Sequence, residues 1–161
     1  MDGDETVQHG GVFLWGEYVA RHVHVGAPRD AAGPYGRAVS VQTLSAVTGA
    51  CMVLRRETYL AVGGMDEGFA VDFNDIDLCM RVNAAGHRTV WTPHAVLRHH
   101  ESASRGSFMT LRKAKRYDRE TALMRERWGY HLSRDPAYNP NLSLDPQDKP
   151  FDLSFPPRGN I

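Results

Sequence analysis

Apolar and polar positions alternate along this chain in short blocks, each of which predicts an element. Val12 to Leu14 is a brief apolar run after the polar VQHGG stretch and predicts a strand. From Gly26 to Gly36 the chain reads GAPRDAAGPYG, which predicts a loop long enough to serve binding. Val47 to Leu54 is apolar, with the small residues Thr48, Gly49 and Ala50 at its start. It predicts a strand in which Gly49 permits close approach of backbone or ligand. Arg56 to Val62 predicts a short helix closed by Gly63 and Gly64, and MDEGF a turn after it. Asn74 to Ala85 is the clearest helix. Asn74 or Asp75 can cap it, Asp75 and Asp77 lie at its positive end, and Gly86 closes it. Leu78, Cys79 and Val82 give it an apolar face.

Thr89 to Trp91 and Val96 to Arg98 predict two short strands on either side of the Thr92-Pro93 turn. After the polar HHESASRG, Ser107 to Trp128 predicts a long amphipathic helix. Phe108, Leu111, Ala114, Ala122, Leu123 and Trp128 form its apolar side, a crowd of Arg and Lys forms the other, and Gly129 is the expected stop. The chain therefore divides into residues 1–129 and an extension, 130–161. That extension holds Pro136, Pro140, Pro146, Pro150, Pro156 and Pro157 and is expected to wrap the domain or hang from it.

Composition narrows the class. The chain has 161 residues, 42% of them hydrophobic and 24% charged, which is enough for one soluble domain with a core. Nineteen basic and 19 acidic side chains cancel, against a general nucleic-acid binder. No apolar run approaches the roughly 20 residues that span a bilayer. MDGDETVQHGG lacks the basic and apolar regions of a signal peptide. Cys51 and Cys79 lie in apolar segments, form no CxxC pair, and are expected to be reduced.

Candidate chemistry concentrates between residues 48 and 106. Asn74-Asp75-Ile76-Asp77 offers two carboxylates at a helix N-terminus, where they can act on a substrate proton or simply complement the helix dipole. His99 and His100 end a predicted strand and point to opposite faces, so they do not readily share a metal. Ser104 and Arg105 suit a loop over a diphosphate, and equally a cap for the long helix. Asp2-Gly3-Asp4 spells a DxD directly before VQHGG.

Taken in order, TGA, RRE, GGMDE, NDIDLC, AGHR and a strand ending in histidine before SASRG resemble the acceptor-side, C-terminal half of family 2 (GT-A fold) glycosyltransferases. VQHGG upstream and YNPNLSLD downstream fit a bacterial subgroup of that family. The resemblance implies an α/β fold, a partial GT-A sheet flanked by helices, whose nucleotide-binding half with the DxD would precede this chain. It implies metal-dependent, inverting transfer of a sugar from a nucleotide sugar to a glycan or lipid-linked acceptor in polysaccharide biosynthesis. Asp75 takes the position of the base and His99 that of a metal ligand for Mn²⁺ or Mg²⁺. Thr48, Gly49, Asn74 and Asp77 stand beside substrate. Asn74 replaces the family's more frequent glutamate and cannot be a base, which leaves Asp75 as the base of that pair. The expected setting is cytoplasmic, peripheral at the inner face of the membrane. The expected partners are a complementary N-terminal half or a second copy, and the isolated chain is expected to be inactive. The alternative is a non-catalytic remnant that binds acceptor glycan or a partner chain.

Overall fold

The computed structural model describes residues 6–99, 110–145, 147, 149–156 and 158. Four short strands, β1 (Val12–Leu14), β2 (Ala20–His22), β3 (Gln42–Leu44) and β4 (Thr89–Trp91), combine with α1 (Arg56–Ala61), α2 (Asn74–Ala84) and α3 (Leu111–Leu132). This is a small mixed α/β arrangement with antiparallel pairing. β1 pairs β2 with Val12 opposite His22, and β3 pairs β4 with Leu44 opposite Thr89. Among the described residues one bridge joins the two pairs, where the Val12 N–H donates to the Ala46 carbonyl at 3.2 Å.

β1 is buried along its whole length, and its two faces meet different partners. Side chains alternate across a strand, so Val12 and Leu14 point one way and Phe13 the other. Val12 and Leu14 join Ala46, Phe69, Ile76, Cys79, Met80, Met124 and Leu132 in a core under α2 and α3. Phe13 and Trp15 pack with Val23, Leu44, Tyr138 and Phe151. The extension is thus folded onto the sheet. Asp135 is buried there and accepts from the Leu14 N–H at 2.7 Å and the Ser45 hydroxyl at 2.5 Å. Burial pushes its carboxyl above the ordinary range, against the pull of those bonds. Tyr138 Oη donates to the Ser143 carbonyl and accepts from the Phe151 N–H, and Arg158 donates to the carbonyls of Leu142 and Asn139.

Several expectations change. The strand expected over Val47 to Leu54 lies earlier, at Gln42–Leu44 with the bridge at Ala46. The apolar run itself turns at Gly49 and Ala50, and Val53 is 94% exposed. Val96 to Arg98 forms no strand. α3 passes through Gly129 and ends at Leu132, whose buried side chain anchors its last turn. Leu111 and Ala122 are exposed, whereas Glu120, Thr121 and Met124 line the buried face. α2 is preceded by Phe73 in the left-handed region (φ 61°), which offers no side-chain cap, and the Asp75 carboxylate accepts the first-turn N–H of Ile76 at 2.8 Å. The expected starts at Ser107 and Phe108, like Asp2-Gly3-Asp4, His100, Ser104 and Arg105, lie outside the described residues.

Candidate active site

Asp75 stands in the first turn of α2, half-buried, facing the turn after Ala46. Its Oδ2 accepts the Gly49 N–H at 2.7 Å and its Oδ1 accepts the Ile76 N–H at 2.8 Å. Glycine is needed at 49 for space: a Cβ there would stand 3.2 Å from the Asp75 Cβ. Thr48 is half-buried beside it, and its hydroxyl accepts the Ala50 N–H at 3.2 Å, tightening the same turn. Thr48, Gly49 and Asp75, distant in sequence, are therefore brought together. Each carboxylate oxygen keeps a lone pair for another donor.

Asp77 has a different environment. It is fully buried. Oδ2 accepts from Arg81 Nε at 2.8 Å; Oδ1 accepts from Arg127 Nη1 at 2.8 Å and Trp128 Nε1 at 3.0 Å. Arg127 also reaches Asp66 at 2.8 Å, so one guanidinium ties the GGMDE turn, α2 and α3 together. The Asp77 hydrogen bond, helped by Asp66, raises Arg127 above its ordinary range despite partial desolvation. Asp66 is held low by the Gly68 N–H first and by Arg127 next. Asp77 thus spends its acceptors on the protein's own cations, while Asp75 keeps acceptors open.

Glu120 was not legible as a site residue, yet it holds the approach to Asp75. It is fully buried and accepts the successive N–H groups of Ala70 (3.2 Å), Val71 (3.3 Å) and Asp72 (2.6 Å). That fixes the segment entering Phe73, whose positive φ is unusual for a large side chain. The Phe73 ring lies against Tyr117 with centroids 5.4 Å apart, and the Phe73 carbonyl accepts the Asp77 N–H. An uncommon backbone conformation is therefore over-determined next to Asn74, which is half-buried.

His99 is exposed at the far end of the 89–99 segment, with its ring centroid 5.8 Å from that of His9. His9 in turn meets His22, Nδ1 to Nδ1 at 3.0 Å. His9 lies three residues before β1 and the register sets Val12 opposite His22, so the histidine contact comes from the approach to the strand and carries no strand-pairing signal in the sequence. No group of three His, Cys, Asp or Glu side chains among the described residues converges closely enough to hold a metal ion. His99 by itself does not make a metal site.

Comparisons with known proteins bear on this arrangement. Residues 23–122 match the model of the family described as glycosyltransferase like family 2. The chain is 49% identical over 154 residues to an uncharacterized protein, y4gI, of Sinorhizobium fredii, covering 95% of this chain and 17% of that protein. It is 38% identical over 144 residues to the O-antigen biosynthesis protein RfbC of Myxococcus xanthus, covering 89% of this chain and 11% of that protein. Over 60 residues it is 37% identical to the N-acetylglucosaminyl-diphospho-decaprenol L-rhamnosyltransferase of Mycobacterium tuberculosis, 37% of this chain and 20% of that enzyme. The chain thus spans less than a fifth of the length of its first two relatives. No solved structure matches it.

Proposed function

Because the chain belongs to glycosyltransferase family 2, we propose that it is the acceptor-side part of an inverting, GT-A-type sugar transferase in which Asp75 is the general base. The observation that carries this reading is the contrast between two neighbouring carboxylates. Asp77 is buried and fully engaged, whereas Asp75 is accessible and oriented by the Gly49 and Ile76 N–H groups. An acceptor hydroxyl that donates to Asp75 gives up its proton as its oxygen bonds to the anomeric carbon. The bond from that carbon to the donor diphosphate breaks on the opposite face, and the configuration inverts. Thr48 and Asn74 flank the acceptor, and Gly49 leaves room for the Asp75 side chain.

The donor is a nucleotide sugar. The acceptor is a glycan or a lipid-linked saccharide, a class suggested by the relatives named for O-antigen biosynthesis and for a diphospho-decaprenol acceptor. A cytoplasmic location at the inner face of the membrane goes with such an acceptor, and no helix among the described residues is long and apolar enough to cross a membrane. A divalent ion would supply charge stabilisation for the departing diphosphate. His99 is the ligand this chain offers it, the others coming from outside the described residues. A complementary N-terminal segment supplies the nucleotide-binding part.

The test is product stereochemistry. The chain, joined to or mixed with a nucleotide-binding segment, is supplied with a panel of labelled nucleotide sugars and a lipid-diphosphate saccharide acceptor, and the product is read by NMR. Transfer with inverted anomeric configuration is expected. Retained configuration overturns the assignment, as does binding of acceptor without turnover of any donor.

A further inference from the structure

The formal charge of the chain is zero, but its distribution is uneven. Residues 112–119 read RKAKRYDR, five cations against the lone carboxylate Asp118. Arg112, Lys115, Arg116 and Arg119 fall at i, i+3, i+4 and i+7 on α3 and so share one face. They line an open cleft of about 430 Å³. Two of them are partly balanced from the other side. Arg116 lies 3.2 Å from Asp72 and 3.8 Å from Glu120, and Arg119 lies 3.7 Å from Glu120. Arg112 and Lys115 are exposed and form no ion pair among the described residues. Beside them Leu111 is 74% exposed, one turn from Lys115 on the same side of the helix.

We propose that this face of α3 is a docking surface for a bilayer containing anionic phospholipids. Arg112 and Lys115 would meet headgroup phosphates, and Leu111 would enter the headgroup layer. Charge complementarity selects this occupant. Two uncompensated cations, Arg112 and Lys115, with an adjacent apolar side chain match an anionic interface, where each Lys or Arg adds to binding and a nearby apolar contact reinforces it. Nucleic acid is disfavoured by the rest of the chain, whose 14 basic side chains are outnumbered by 18 acidic ones. The position has a consequence for the site. Arg116 holds Asp72 and Tyr117 meets Phe73, two or three residues before Asp75. Docking through this face would hold the segment leading to the carboxylate close to the membrane, within reach of a lipid-linked saccharide. The inference deepens the membrane-side location proposed above. It does not depend on Asp75 being a base, since vesicle binding is read without any transfer assay.

The experiment is cosedimentation of the full chain with vesicles of phosphatidylcholine alone and of phosphatidylcholine mixed with phosphatidylserine. Binding to the anionic vesicles and not to the neutral ones is expected, weakening as salt is raised. The double variant Arg112→Ala/Lys115→Ala removes two cations that make no ion pair, and should bind about 30-fold more weakly. The variant Arg55→Ala/Arg56→Ala lowers the net charge equally at exposed positions elsewhere. It should retain most of the binding, and circular dichroism should match for all three proteins. The proposal is overturned by absence of binding to anionic vesicles, by equal binding to neutral ones, or by equal losses in the two double variants. It is also overturned if soluble pyrophosphate displaces the chain at the concentration of exposed lipid phosphate, or if single-stranded RNA binds more tightly than the vesicles.

Discussion

The Gly49 N–H donates to Asp75 Oδ2 at 2.7 Å, and the space above the Gly49 Cα is occupied by the Asp75 side chain. The turn and the helix start are fitted to each other, with 26 residues between them in sequence. Gly49→Ala places a methyl 3.2 Å from the Asp75 Cβ, tighter than ordinary contact, and the carboxylate has to shift by a few tenths of an ångström. Position 49 is exposed, so the fold absorbs the change. We expect a melting temperature close to that of the parent, with kcat lowered about tenfold through misplacement of the base. A Gly49→Ala protein with unchanged kcat would show that Asp75 does not need its present position.

The two aspartates of α2 should fail in different ways. Asp75→Asn keeps size but cannot take a proton, and its single amide oxygen can keep only one of the Gly49 and Ile76 N–H bonds, leaving the other N–H to solvent. Turnover should fall by roughly 10²–10⁴-fold, with little change in stability or in donor affinity. Asp77→Asn deprives Arg81 and Arg127 of a charged acceptor while Arg127 keeps Asp66, a loss of about 1.5–3 kcal/mol of stability. Thermal unfolding of both variants beside steady-state rates separates the cases. If Asp75→Asn melts early while Asp77→Asn keeps its stability and loses rate, the roles are reversed.

How far these roles could be read in advance depended on whether neighbours in sequence or in space decide them. α2 was legible because Leu78, Cys79 and Val82 repeat at helical spacing and Gly86, at φ 85°, punctuates its end. The run Val47 to Leu54 misled because its apolar residues sit in a turn that closes onto Asp75, while the strand beside it is the unremarkable QTL. β2, Ala20–His22, carries no apolar signal at all and is defined by its partner β1. Gly129 lies in the exposed face of α3, where glycine weakens a helix without ending it, and burial of Leu132 carries the helix past it. The prolines of the extension dominate its composition and mask Tyr138 and Phe151, the two aromatics that pack on Phe13. Buried carboxylates such as Glu120 and Asp77 have no signature in one sequence, because what makes burial tolerable is a set of donors from distant segments.

Glu120 provides a test of that last point. Its carboxylate faces three backbone N–H groups, and Gln can offer them one oxygen while turning an NH₂ toward at least one donor. Glu120→Gln should cost about 2–3 kcal/mol, as expected when buried donors lose a charged acceptor. The local signature is more telling than the global one: amide exchange at Ala70, Val71 and Asp72 should accelerate more than exchange in the core strand β1. Uniform acceleration across the chain would mean that Glu120 supports the whole fold and does not specifically hold the segment before Asp75.

The two cysteines should differ sharply in reactivity. Cys51 is exposed; Cys79 is buried, with its Sγ 3.8 Å from the Val47 carbonyl. Burial first, and the nearby Asp75 charge as well, push the Cys79 thiol from 9.0 up to about 11. At pH 8 Cys79 is therefore both inaccessible and almost wholly protonated, and the thiolate is the nucleophile. A disulfide-exchange reagent should titrate one thiol in the folded chain and two after unfolding in guanidinium. The same shift fixes a pH dependence. The folded value exceeds the unfolded one, so the contribution is intact below about pH 9 and is lost as pH rises toward 11, where the unfolded chain gains a thiolate that the folded chain resists forming. Cys79→Ala removes that thiol, and its stability should decline less steeply than that of the parent between pH 9 and 11. Denaturant midpoints measured across that window decide the matter: parallel decline in both proteins would mean that the Cys79 thiol is not held protonated by the core around α2.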